Sequence, residues 1–151
     1  MNAYNLPDAE TIISLSTDWF QSRTDVSGIA LVGSYARGTA RPGSDIDLVI
    51  LCAAPQAYRT NMAWPSELPW GRLGLSVRSL RDHDYGILWS RHVLLSSGAE
   101  VEYGFASEEW AQINPIDAGT YQVMNAGYRV LYDRDGKLRE LSEHILSRKA
   151  K

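Results

Sequence analysis

Cysteine is almost missing from this chain: Cys52 stands alone among 151 residues. One thiol closes no internal disulfide and builds no multi-cysteine zinc site. Long apolar runs are missing too. No uncharged stretch approaches the ~20 residues of a membrane span, so no membrane partner is expected. The N-terminal residues, Met1 to Asp8, show neither a basic start nor an apolar run. No secretory leader is therefore visible, and the expected location is cytoplasmic. Positive charge is not in excess, since 15 Lys and Arg face 18 Asp and Glu for a net charge of −3. A protein that grips long nucleic acid by neutralising phosphates carries the opposite balance, which makes a polynucleotide an unexpected partner. Internal repeats, low-complexity tracts and a convincing linker are also absent.

What remains is an ordinary globular composition, 44% apolar and 22% charged, long enough to bury a core unaided. One domain over residues 1–151 is expected. Helical periodicity predicts a first helix over 9–22 capped by Asp8, and a last helix over 137–148 with Leu138, Leu141 and Ile145 on one face. Short apolar runs predict buried strands at Ile29–Val32 and Asp45–Cys52. Further strands are expected at 71–80, Ile87–Leu95, Ala99–Ala106 and Tyr128–Tyr132. Ser96-Ser97-Gly98 makes a hairpin of the 87–95 and 99–106 strands. Short helices are expected at Glu108–Gln112 and Ala118–Asn125. Residues 55–70, with three prolines, read as irregular. The mixture predicts an α+β fold, a mixed sheet flanked by helices.

The informative stretch runs from Gly33 to Asp47. Asp45 and Asp47 are two apart on a strand, so both carboxylates leave the same face about 6.6–7 Å apart along the chain. Ile46 and Leu48 point the other way. Two adjacent acids repel each other unless a cation lies between them. Divalent ions bridging carboxylates and phosphate oxygens are the usual arrangement in phosphoryl transfer, and Mg2+ favours a few carboxylates with substrate phosphates. Upstream, Gly33-Ser34 lies where a strand turns into a helical turn, and a phosphate can approach the backbone where no Cβ intervenes. A third acid is expected from a neighbouring strand. Glu100 and Glu102 share a face, so either serves on geometry alone. A P-loop is excluded, because Gly33-x-x-x-x-Gly38-Thr39 lacks the lysine that would reach the terminal phosphates.

Gly33-Ser34, ten residues, then Asp45-Ile46-Asp47 resembles the defining motif of the DNA-polymerase-β-like nucleotidyltransferase superfamily. The stretch from Gly33 to Thr39, the Ser44–Val49 strand and the segment Val101-Glu102-Tyr103-Gly104-Phe105 are similar to the N-terminal domain of kanamycin-type aminoglycoside nucleotidyltransferases and to minimal nucleotidyltransferases. The likeness covers about residues 9–106, leaving 107–151 as a C-terminal extension. It implies transfer of a nucleoside monophosphate, AMP from ATP in the first instance, to an acceptor hydroxyl with release of pyrophosphate. It further implies that Asp45 and Asp47 hold two Mg2+ ions and that Glu102, favoured over Glu100, completes the site. Gly33 and Ser34 would hold the β- and γ-phosphates, with Arg37 and Ser44, and less so Arg41, adding phosphate contacts. The acceptor would be an aminoglycoside-like small molecule or a protein. In the antibiotic-modifying relatives a helical domain or a second subunit builds much of the acceptor pocket. The short remainder after Glu102 therefore suggests a homodimer mate or a helical partner protein. The alternative is an antitoxin-type binding module that neutralises or modifies a helical toxin.

Other residues read as structural. His83, His92 and His144 show no metal-ligand spacing and are expected at the surface or in satisfied positions. Cys52 ends a buried strand and Trp19 belongs to the core. Trp64, Trp70, Trp89 and Trp110 either pack the core or line an acceptor or dimer surface. Asp82 and Asp84 form a second Asp-x-Asp, read as a turn between strands.

Overall fold

The computed structural model describes residues 7–149; the first six residues, part of the segment read for a leader, and the last two lie outside it. Helix α1 (Ala9–Gln21) starts at Asp8, whose carboxylate accepts from the Thr11 N–H at 2.9 Å and from its hydroxyl at 2.7 Å. That cap satisfies an N–H that the first turn leaves without a helical partner. Its buried stripe is Ile12, Ile13, Ser16 and Phe20.

Strand β1 (Val26–Val32) is longer than the sequence suggests and is buried along its whole length. Both faces of the sheet are covered there, so no polar alternation marks its start. Helix α2 (Gly33–Arg37) follows at once, then β2 (Ile46–Cys52).

Residues 55–70 are not irregular as expected. They form α3 (Pro55–Thr60) and α4 (Trp64–Glu67), followed by a 3-10 turn at Trp70–Leu73. The prolines that read as breakers occupy the first turns of these helices, where a missing N–H does no harm. The next strand is displaced in consequence: β3 spans Val77–Asp84 rather than 71–80. Asp82 and Asp84 are thus strand residues, not a turn. The chain continues through β4 (Leu88–Leu95), β5 (Glu100–Ala106), α5 (Ala118–Ala126), β6 (Tyr128–Asp133) and α6 (Lys137–Lys149).

The six strands form one mixed sheet in the order β3-β4-β5-β2-β1-β6, in which β2 and β5 run parallel and every other pair is antiparallel. One face carries Ile46, Leu48, Ile50, Tyr103 and Phe105 against α1, α3 and α4. Aromatic rings dominate this side, with Tyr58 and Trp89 each stacked on Phe105 at centroid distances of 4.7 and 5.0 Å. Trp64, Trp70, Trp89 and Trp110 are all buried, the first three in the core of this side and Trp110 at the edge of the cleft on the other. Arg91 is buried here as well, bonded to both oxygens of Asp82 and to the carbonyls of Tyr58, Arg59 and Asn61.

The opposite face carries Ala30, Val32, Val49, Leu51 and Ala106, packed against Trp110, Met124 and the α6 residues Leu138, Leu141 and Ile145. The last third of the chain therefore closes the smaller of the two core clusters. Toward β3 this face is open: Arg81, His83 and Tyr85 are exposed.

Candidate active site

Asp47 belongs to the α5/α6 face of β2 because it lies two residues before Val49. The parallel register sets it directly beside Glu102 of β5. The antiparallel registers then place His92 of β4 beside Glu102 and Arg81 of β3 beside His92. One row across the sheet thus reads Asp47, Glu102, His92, Arg81. His92 Nε2 is 2.7 Å from Glu102 Oε2, and an Arg81 Nη2 is 3.4 Å from His92 Nδ1.

On the other side of Asp47 stands Gly33, the first residue of α2. It holds φ at +74°, and a Cβ there would overlap the Asp47 carboxylate. A side-chain-free residue is what lets the strand and the helical turn approach so closely. A second glycine, Gly127, has φ +139° and faces Arg37, whose Cγ would lie 2.9 Å from a Cβ at residue 127. That contact seats the end of α2 against the junction of α5 and β6.

Asp47, Glu102, Gly33 and Arg37 line a cleft of about 590 Å³. Its floor continues along Val49, Gly104 and Leu88, with Tyr85 and Ile87 of the β3–β4 turn on one wall and Gln122 and Val123 of α5 on the other. Such a volume falls within the range of small-ligand sites.

The remaining candidates are placed differently. Asp45 immediately precedes β2, half-buried, and its carboxylate lies close to that of Glu100, the other acid of the β5 pair. Ligand atoms of Asp45, Glu100 and His92 lie within 4.8 Å of one another. Ser34 is half-buried in α2 and does not line the cleft. Ser44 accepts the Arg41 N–H on its hydroxyl at 2.8 Å, while its own N–H donates to the Arg41 carbonyl at 2.9 Å. Ser44 thereby closes the loop before β2, with Arg41 exposed on its outside.

Burial pushes the Asp47 carboxyl up from 3.8 to about 7, and the charges of Glu102 and then Asp45 push the same way; Arg37 offsets part of this. Glu100 is raised chiefly by its hydrogen bond to Asp45, then by burial and the Asp45 charge. Four carboxylates crowd a region where each opposes ionisation of its neighbours. A divalent cation relieves that opposition, and the carboxylate-rich donor set suits a hard, oxygen-seeking ion such as Mg2+. The residues present fit such a metal.

His92, expected at the surface or in a satisfied position, is satisfied by Glu102; the signal for that pairing lay in the sequence. The hairpin is symmetric about Ser97, and folding it there sets His92 opposite Glu102. Arg81, Tyr85 and the α5 wall left no local signal, because their relation to the acids depends on how β3 and α5 dock.

Comparison with known proteins agrees with this geometry. The sequence matches the nucleotidyltransferase domain family over residues 16–113. Against curated proteins it has no significant match. Among solved structures it is similar to an aminoglycoside 6-adenyltransferase from Bacillus subtilis, with a TM-score of 0.55 and 10% identity over 72% of this chain. The chain spans only 38% of that protein's length. A toxin-antitoxin structure with AMP-PNP aligns with 95% of this chain and 88% of its own, at 16% identity and a TM-score of 0.43. No helix among the described residues is long and apolar enough to cross a membrane. The α+β sheet, the acids at the head of its cleft and the family match over residues 16–113 together show that this chain belongs to the nucleotidyltransferase domain family.

Proposed function

We propose that this protein transfers a nucleoside monophosphate, AMP in the first instance, from a nucleoside triphosphate to the hydroxyl of a small molecule or a protein. The acceptor oxygen forms a bond to the α-phosphorus, the bond from that phosphorus to the bridging oxygen breaks, and pyrophosphate leaves. The acceptor proton passes to a carboxylate or to water. The observation that carries this reading is the register of Asp47 with Glu102 at the head of the cleft, with Gly33 against Asp47.

Asp45, Asp47 and Glu102 are the residues proposed to hold two Mg2+ ions. When bound, such ions neutralise phosphate charge and lower the barrier to attack by the acceptor oxygen. Gly33 leaves backbone space for the β- and γ-phosphates. Ser34 continues the same helical turn behind Gly33, and Arg37 at the cleft wall supplies positive charge to the same end. Ser44 contributes by holding the loop that delivers Asp45. The apolar wall of Tyr85, Ile87 and Val123 shields the reacting groups from water and offers contact area to the acceptor.

The test is thermal stabilisation by each nucleoside triphosphate with and without Mg2+. At a hundredfold excess over Kd, linkage gives about 2.7 kcal/mol. A Mg2+-dependent rise with at least one triphosphate is expected, together with pyrophosphate release on adding the acceptor. No rise with any triphosphate would remove the reading.

A further inference from the structure

Glu102 has two carboxylate oxygens, and the protein engages one of them. His92 Nε2 stands 2.7 Å from Oε2. The neighbour of the other ring nitrogen, Nδ1, is an Arg81 guanidinium nitrogen at 3.4 Å, and a guanidinium only donates. A donor facing Nδ1 disfavours a hydrogen there in the neutral ring, which puts the N–H on Nε2, where it donates to Glu102. In this tautomer Nε2 has no lone pair to offer a cation, although His92 lies close to Asp45 and Glu100.

From this chain of contacts we infer that His92 is a positioning residue, whose Nε2–H holds Oε2 of Glu102 and leaves the other carboxylate oxygen for the cation. Arg81 selects the tautomer that does so. The role rests on the proposed metal-binding function of Glu102. Its physical basis is that a ligating carboxylate is oriented by the hydrogen bond it accepts from outside the metal's own shell. The backbone of His92 is fixed on both sides, since β4 is paired with β3 and with β5, and its side chain is only 12% exposed.

The experiment uses the full chain and Mn2+ as the probe ion, with free Mn2+ followed by electron paramagnetic resonance. His92→Phe keeps the ring and removes the donor. His92→Gln restores an N–H, and Glu102→Gln serves as the reference for loss of the ligand itself. His92→Leu repeats the measurement should the phenylalanine variant melt early. The expected result is a weakening of Mn2+ affinity by about 10–100-fold in His92→Phe, largely recovered in His92→Gln. Spin-echo spectra of the wild type should show no imidazole 14N coupling to Mn2+.

Three results overturn the inference while sparing the metal site. His92→Phe could bind like the wild type while Glu102→Gln does not. His92→Gln could bind as weakly as His92→Phe. An imidazole 14N coupling could appear and vanish in His92→Gln, making His92 a ligand. A wild type that binds no Mn2+ would instead bring down the metal-site reading, and this role with it.

Discussion

Gly33 and Asp47 compete for one volume: the side chain that any other residue would place at position 33 is where the Asp47 carboxylate lies. Gly33→Ala should therefore destabilise by about 1–3 kcal/mol from the left-handed backbone alone, and should also dislodge Asp47. Urea unfolding of Gly33→Ala, Asp47→Ala and the double variant tests this. The double variant should be more stable than the two separate losses imply, since truncating Asp47 vacates the contested space. Simple additivity would show that the contact is unimportant.

The metal-free protein should lose stability as pH rises. Asp47 titrates near 3.8 ordinarily and at about 7 in the fold. Between those values the folded form keeps a proton that the unfolded chain releases, so stability falls through that window and the loss is complete above about pH 7. The full interval corresponds to roughly 4 kcal/mol; access of solvent to this partly exposed carboxylate reduces that to about 1–3 kcal/mol. Urea midpoints at about pH 5 and pH 8, without metal, should show this fall in the wild type and less of it in Asp47→Asn. Equal slopes in both proteins would refute it.

Glu102 and Glu100 should separate cleanly in a turnover assay. Glu102 stands in register with Asp47, whereas Glu100 lies close to Asp45, ahead of the strand. Loss of a supporting group around a metal typically lowers activity about 10–100-fold, and loss of a ligand should exceed that. Glu102→Gln is expected to reduce nucleotidyl transfer by more than about 100-fold, with Glu100→Gln less affected. The reverse order would move the third acid to Glu100.

The stability of the β3–β4 edge should depend on Asp82. Its partner Arg91 is 0% exposed and is bonded through Nε at 2.7 Å and Nη2 at 2.9 Å. Asp82→Ala leaves that guanidinium buried with only carbonyl partners and the Met62 sulfur. A loss of about 2–4 kcal/mol is expected in urea unfolding. A variant that unfolds like the wild type would show that the carbonyls alone satisfy Arg91.

Much of the fold was legible because its signals are local. Helix α1 carries its cap and its stripe within 14 residues, and the β4–β5 hairpin carries its own turn. Residues 55–70 were misread because Pro55 and Pro65 disrupt helices from within but tolerate the first turn, and only the backbone distinguishes the two placements. Asp82 looked like a turn residue because the charge that accounts for it, Arg91, comes from the next strand.

The same division holds for the site. Spacing alone put Asp45 and Asp47 on one face and set Gly33-Ser34 at a strand end, because side-chain direction alternates along a strand whatever surrounds it. Which glutamate stands beside Asp47 was open until β2 and β5 were paired in parallel, since Glu100 and Glu102 share a face and only a two-residue difference in register separates them. The docking of β3 brought Arg81 to His92, and that of α5 walled the cleft with Val123. Those choices depend on contacts between segments far apart in the chain, and no local pattern encodes them.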